Sequence, residues 1–480
     1  MPPCWRSAIL TVLALSGVIT AANITSSTTC GGKCQSLSTT ASSWESDQHA
    51  DPDYSFYTIP SNFSAKLAPG SLLHVEDATN LSVYSVPSGL SMSRIIYTTT
   101  DQNGTILPAS AYVLWPYTPL AAPGVNNTQY PLVAWAHGTS GVLKACAPSN
   151  YRNLQYHFMV PFLLALQGMA VVAPDYAGLG FDSLPSGKAI GHPWLNGPAQ
   201  AMNMADAITA VRKAFPTELP PTGPFVAMGH SQGGGAAWSF AERLVKKPIP
   251  GYKGTVAFAP PTRTFDLLAQ ALLNSTQTWA QTLLSQQPAL VHAVTAVFPS
   301  YNDSGMTSLA YDRFHNVLEP LQGCLPTYSQ VFADVPLDQL TRPGWNNNSS
   351  VERYAQLSET GRKQFKGPLL ILQGEDDVVV PLFTVESAVN DTCEMLSQQK
   401  WGESLELVTY SAMNHFPVMQ ASEMKWLTWV KDRFAGKQIA STGCVRNSVK
   451  GLKTDSTYES LGPNFLELWA SPNEAWKLAL

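Results

Sequence analysis

The sequence predicts an α/β fold: a mostly parallel central sheet with helices on both faces and a helical cap inserted between two strands. Three observations carry this. Short apolar runs alternate with helix-forming stretches between residues 132 and 259, and again between 369 and 434, the pattern of strands joined by crossover helices. An apolar run, Phe225–Met228, meets Gly229-His230-Ser231-Gln232-Gly233 and then a stretch of helix formers to Lys246, which reads as strand, sharp turn and helix with a serine at the turn. Between the two regular regions, residues 263–362 show no such alternation and read as helices and loops.

In order along the chain, Arg6 precedes the apolar run Ala8–Ile19 and then Thr20-Ala21-Ala22. A positive start, a short apolar core and small residues at its end make residues 1–22 a secretory signal peptide. About a dozen apolar residues are too few to span a bilayer. Residues 23–90 are rich in Ser, Thr and Pro and are expected to be irregular. Ser93–Thr100 and Ala109–Trp115 flank Asp101-Gln-Asn-Gly104, a hairpin signal. Strands follow at Leu132–Ala136, Ala170–Ala173, Phe225–Met228 and Gly254–Ala259, with helices over Tyr156–Leu166 and Ala199–Phe215. Residues 23–262 thus hold the N-terminal segment and the first part of the core.

The cap is placed at 263–364. From Leu267 to Asn302 there is no Asp, Glu, Lys or Arg, and Leu268, Leu272, Trp279 and Leu283 recur near helical spacing. The core resumes over 365–435 with strands Leu369–Leu372 and Leu405–Tyr410 and the helix Met419–Phe434. Residues 436–480 form a tail carrying Trp469 and Trp476.

Composition excludes some functions and favours a compartment. Charged residues make up 13% of the chain, against about 25% in ordinary globular proteins. A net charge of −5 offers no basic face to nucleic acid, and no later stretch is apolar enough to be a transmembrane segment. With the signal peptide removed, Cys30, Cys34, Cys146, Cys324, Cys393 and Cys444 remain. An even count in an exported protein predicts three disulfides, with 15 pairings open. Cys30-Gly-Gly-Lys-Cys34 has no Cys/His partner set and is read as disulfide-forming rather than metal-binding. Sequons at Asn62, Asn80, Asn103, Asn274, Asn302, Asn348 and Asn390, among others, mark glycosylation sites of a secreted protein.

The chemistry centres on Ser231. Glycines two residues before and two after let the backbone fold sharply, so the hydroxyl is presented outward and the Gln232 N–H lies where an oxyanion would form. The pentapeptide alone would arise by chance in roughly one chain of this length in five; the flanking strand and helix make it specific. A serine hydroxyl needs an imidazole to take its proton and a carboxylate to orient that imidazole. In parallel-sheet hydrolases these follow in the order Ser, acid, His. The acid is sought after Leu369-Leu-Ile-Leu-Gln-Gly374, where Gly-x-x-Asp-x-x-Val-Pro favours Asp377, with Asp376 its rival. After Asp377 the chain contains a single histidine, His415, five residues past a predicted strand end. The second oxyanion donor is expected from His137-Gly138-Thr139, with Thr139 N–H preferred and Gly138 the alternative. His137 is read as scaffolding for that loop, His230 as pointing away from the substrate, and Asp175 as structural.

Ala136-His-Gly-Thr-Ser-Gly141, Val172-Ala-Pro-Asp-Tyr-Ala-Gly-Leu-Gly180, His192-Pro-Trp-Leu-Asn-Gly197, Gly229-His-Ser-Gln-Gly-Gly234 and His415-Phe-Pro-Val-Met419 together resemble the secretory lipase family of the α/β-hydrolases, over residues 95–435. The resemblance implies an α/β-hydrolase fold, carboxylic-ester hydrolysis, a helical cap and no cofactor or metal. By position it also implies Ser231 as nucleophile, Asp377 as acid and His415 as base. The elbow His-Ser-Gln departs from the Tyr-Ser-Gly of yeast members and is closer to that of bacterial-type esterases. The expected protein is a secreted lipase or esterase acting on a small-molecule ester or lipid, with transient contact to a lipid interface. An acyltransferase or serine peptidase using the same triad, and a non-catalytic hydrolase-like binding module, are the alternatives.

Overall fold

A computed structural model describes residues 26–155, 160–439 and 442–460. The expected signal peptide, Trp469 and Trp476 lie outside the described residues. The described residues form a ten-stranded sheet in the order β1-β2-β3-β5-β4-β6-β7-β8-β9-β10. Its strands are β1 (Leu72–Glu76), β2 (Leu90–Thr100), β3 (Ile106–Pro116), β4 (Leu132–Ala136), β5 (Ala170–Pro174), β6 (Phe225–His230), β7 (Tyr252–Phe258), β8 (Leu369–Gly374), β9 (Ser404–Tyr410) and β10 (Gly443–Val449). The pairs β1–β2, β2–β3 and β3–β5 are antiparallel; the other neighbours run parallel.

The central strands are buried on both faces, and their side chains alternate between them. Ala134, Ala136, Phe225 and Ala227 join Ala207, Val211 and Phe240 in one core. Val133, Trp135, Val226 and Met228 join Phe162, Trp426 and Val430 in another. The first face is covered by α3 (Gly197–Ala214) and α4 (Gln232–Lys246), the second by α2 (Pro161–Leu166) and α13 (Glu423–Phe434). The remaining helices are α1 (Gly32–Asp47), α5 (Thr264–Leu273), α6 (Thr278–Ser285), α7 (Gln287–Val297), α8 (Ser308–Arg313), α9 (Leu325–Val331), α10 (Ser349–Ser358), α11 (Leu382–Gln399) and α12 (Pro417–Ala421). Helices α5 to α10 all lie between β7 and β8 in the chain. Among the described residues no helix is long and apolar enough to cross a membrane.

Several local expectations are corrected. Residues 23–90 are not irregular throughout, since they hold α1 and β1. Helix α1 buries Cys34, Ser38, Ala41 and Glu45, a helical stripe made largely of polar residues, so hydrophobic periodicity does not reveal it. It is held from outside: Glu45 Oε2 accepts from the Cys324 N–H and the Thr327 hydroxyl at the start of α9. The tail contributes the parallel edge strand β10, tied to α11 by Cys393–Cys444. Over 419–434 there are two helices, parted at Ser422. The stripe Leu268, Leu272, Trp279, Leu283 is split between α5 and α6, and Leu272 is exposed. The expected helix over Tyr156–Leu166 is seen from Pro161, and residues 156–159 lie outside the described set. The six cysteines among the described residues pair: Cys30–Cys34, Cys146–Cys324 and Cys393–Cys444.

The helical segment between β7 and β8 has its own charged centre. Asp303 Oδ2 lies 3.1 Å from His292 Nδ1 and 3.0 Å from His315 Nε2, and His315 Nδ1 lies 2.8 Å from Glu319. Burial alone would lower the His315 pKa, but its hydrogen bonds to Asp303 and Glu319 outweigh that and raise it to about 9. Burial would raise Asp303, but its bonds from His292 and His315 depress it below the usual carboxylate range. A raised histidine stabilises the fold fully below its unfolded pKa and loses that contribution as pH rises through the folded value. The depressed carboxylate contributes above its unfolded pKa and loses it as pH falls. Both contributions are therefore complete between about pH 4 and 6.5. The difference in Tm between the wild type and His315→Gln is expected to be largest near pH 5 and to shrink toward zero above pH 9. A difference that grows with pH would contradict this assignment.

Candidate active site

Strand β6 delivers the chain to Ser231, which has φ 56° and ψ −127°, a conformation that L-residues adopt only under external constraint. The constraint is close backbone packing. A Cβ on Gly229 would lie 2.1 Å from the Gly233 carbonyl oxygen, and one on Gly233 would lie 1.9 Å from that of Ala136. The Ser231 N–H donates to Phe258 O at 3.0 Å, and its carbonyl accepts from Gly234 N–H at 2.7 Å, which starts α4. Ser231 is half-buried between strand and helix. Gln232 is the first residue of α4, a position whose N–H has no intrahelical acceptor.

Strand β4 pairs with β6 with Ala136 opposite Gly229, so the loop leaving β4 arrives beside the elbow. Thr139 and Ser231 line one pocket. The Thr139 hydroxyl accepts from Trp194 Nε1 at 2.9 Å. His137 is buried, with Nδ1 2.6 Å from Gly138 O and Nε2 3.2 Å from Asp175 O. Burial pushes its pKa down to about 3, against the two backbone carbonyls that hold the ring in the loop. Asp175 accepts from the Ser110 and Ser149 hydroxyls and from the Ser149 N–H.

The acid and the imidazole meet. Asp377 Oδ2 lies 2.8 Å from His415 Nδ1, and both side chains are almost fully buried. The other oxygen of Asp377 accepts from the N–H groups of Val379 and Val380, each at 2.8 Å, and Oδ2 also accepts from Gln373 Nε2 at 3.1 Å. A carboxylate so held can only accept, so Nδ1 of His415 carries a proton and Nε2 is the nitrogen able to take one. Asp376 is exposed and contributes its N–H to Met413 O; the structure brings Asp377, not Asp376, to His415.

Residues that the sequence did not single out complete the arrangement. Asn414 Oδ1 accepts from His415 N–H at 2.7 Å and from Val378 N–H at 3.1 Å, joining the acid and histidine loops. His192 Nδ1 donates to Ala177 O at 3.0 Å, so its Nε2 accepts from Gln232 Nε2 at 3.0 Å. Burial holds His192 down to about 4 and hence neutral. The only signals available were adjacency to His415 and membership of the His-Pro-Trp run.

The pocket at Ser231 is walled mainly by apolar groups. Trp194, Leu267 of α5, Leu283 of α6, Val379 and Val380 line it, so α5 and α6 form part of the wall of the pocket on which Ser231 opens. Among the described residues, no group of three or more His, Cys, Asp and Glu is placed to hold a metal ion.

Comparison with known proteins agrees with this architecture. A model of the alpha/beta hydrolase fold matches residues 137–420. No match is found among curated proteins. Candida antarctica lipase A in its closed state superposes with a TM-score of 0.64 at 18% identity, covering 82% of this chain and 88% of that one. The rice cell wall degrading esterase LipA from Xanthomonas oryzae gives 0.57 at 20% identity, covering 78% of this chain and 100% of that one. A hydrolase described as putative, from Legionella pneumophila, gives 0.58 at 16% identity, covering 77% and 99%. At these identities the likeness is one of fold.

Proposed function

The chain belongs to the alpha/beta-hydrolase fold family, and from that premise we propose that it is a secreted serine hydrolase cleaving carboxylic esters through an acyl-enzyme on Ser231. One observation carries the reading: a buried Asp377–His415 pair, 2.8 Å apart, whose histidine loop is bonded through the His415 carbonyl to His230, the residue before a strained Ser231 that opens on an apolar pocket.

Ser231 Oγ passes its proton to His415 Nε2 and attacks the ester carbonyl carbon. Asp377 holds the Nδ1 proton and favours the imidazolium. The N–H groups of Thr139 and Gln232 receive the oxyanion, with Gly138 the alternative to Thr139. The tetrahedral intermediate collapses, the alcohol leaves with the proton from His415, and the acyl group stays on Ser231. Water then gives a proton to His415 and attacks the acyl carbon. The acid departs and the proton returns to Ser231 Oγ. No step calls for a metal or cofactor.

The helices between β7 and β8 act as a cap over the acyl chain, supported by Leu267 and Leu283 in the pocket wall. Exposed Leu272, Leu273, Val379 and Phe383 support transient contact with a lipid interface. The three disulfides, the N-terminal leader pattern and the sequons support export and glycosylation.

A p-nitrophenyl ester series from acetyl upward tests the reading. The wild type is expected to hydrolyse these esters and to prefer acyl chains longer than acetyl. Leu283→Trp, which fills the pocket, is expected to shift kcat/KM toward acetyl by roughly tenfold. A wild type indifferent to chain length would overturn the acyl-pocket assignment.

A further inference from the structure

The imidazole of His415 is oriented by Asp377, but its backbone is held separately. His415 lies in the loop between β9 and α12, where Ala412 has φ 57°. One side of the loop is fixed to the acid turn. The Glu375 N–H donates to Tyr410 O at 3.0 Å, the Asp376 N–H donates to Met413 O at 3.1 Å, and the Asn414 side chain bridges to Val378. The other side faces the serine elbow, and there the contact is made by His230, the residue immediately before Ser231.

His230 Nε2 lies 2.9 Å from the carbonyl oxygen of His415. A carbonyl only accepts, so Nε2 carries the proton. The two rings are 4.5 Å apart, and His230 is fully buried. Burial, reinforced by the neighbouring His415, keeps the His230 pKa well below that of a free histidine. It therefore stays neutral while His415 cycles its charge. As a donor at Nε2, His230 satisfies the His415 carbonyl and ties the base loop to the elbow.

We propose that His230 is a positioning residue: its Nε2–H bond to the His415 carbonyl sets the distance between the loop carrying the base and the strand carrying the nucleophile. The proposal rests on the reading of Ser231 and His415 as nucleophile and base. An error of about 1 Å in such a placement can cost on the order of a hundredfold in rate, while substrate binding in the pocket is untouched.

The test compares His230→Leu, His230→Gln and His230→Asn on a p-nitrophenyl ester, with Ser231→Ala as control. Gln can set an amide N–H near the position of the His Nε2, whereas Asn is one methylene short. Leu and Asn are expected to lower kcat by roughly 10²-fold with KM changed less than about threefold. Gln is expected to recover kcat to within about fivefold of the wild type. If Leu does not fold, the contrast of Asn with Gln decides. Full activity in Leu or Asn would overturn the proposal, as would Gln as impaired as Asn or a loss carried by KM. Activity surviving in Ser231→Ala would instead overturn the serine reading itself and this proposal with it.

Discussion

Ser231→Ala is expected to lower kcat for p-nitrophenyl ester hydrolysis by roughly 10⁴- to 10⁶-fold, the scale seen when a triad serine is removed. The fold should survive. The strain at residue 231 is imposed by Gly229 and Gly233 packing against neighbouring backbone, and its two backbone hydrogen bond sets, to Phe258 and from Gly234, do not involve the hydroxyl. Alanine meets the same positive φ with a smaller side chain. An unchanged Tm with activity lost is the expected pair of results; more than about 1% residual kcat would reject Ser231 as nucleophile.

Asp377→Asn is expected to cost roughly 10³- to 10⁴-fold in kcat. The asparagine oxygen can still accept from Val379 and Val380, as Asp377 Oδ1 does. Its amide NH₂ then faces His415 Nδ1 where Oδ2 was and can only donate. The imidazole is driven to the tautomer with its proton on Nε2, which cannot take one from Ser231. The same NH₂ meets the Gln373 amide donor, so some loss of Tm accompanies the change. Asp376→Asn is the companion: the Asp376 side chain is exposed and its tie to the histidine loop is made by the backbone N–H, so kcat should stay within about twofold, as for other surface side-chain changes. The reverse pattern would transfer the acid role to Asp376.

The site was legible in the sequence to the extent that local backbone rules govern it. Glycines at 229 and 233 are demanded by contacts a Cβ could not make, so the elbow is written in the chain. His415 follows from elimination, because no other histidine lies beyond Asp377. The Gly-x-x-Asp-x-x-Val-Pro pattern favours Asp377 over Asp376, and the structure adds the physical difference: one carboxylate turns inward and the other faces water. Asn414, His192 and the supporting role of His230 were invisible in the sequence. Their bonds span distant segments, as with His230 and the His415 carbonyl, 185 positions apart.

In the fold, the regular strand and helix alternation was readable because buried parallel strands are uniformly apolar. Helix α1 was not, since its inward stripe includes Ser38 and Glu45 and its stability comes from contact with α9. Strand β10 was not, since most of its side chains are exposed and its place at the sheet edge depends on pairing with β9 and on Cys444.

A fluorophosphonate probe followed by peptide mass spectrometry tests the central assignment most directly, because it reports which oxygen becomes nucleophilic. A single stoichiometric adduct on the peptide containing Ser231 is expected, formed in step with loss of ester hydrolysis and absent from His415→Ala. An intact Ser231 peptide after full inactivation, or an adduct on another residue, would contradict the account.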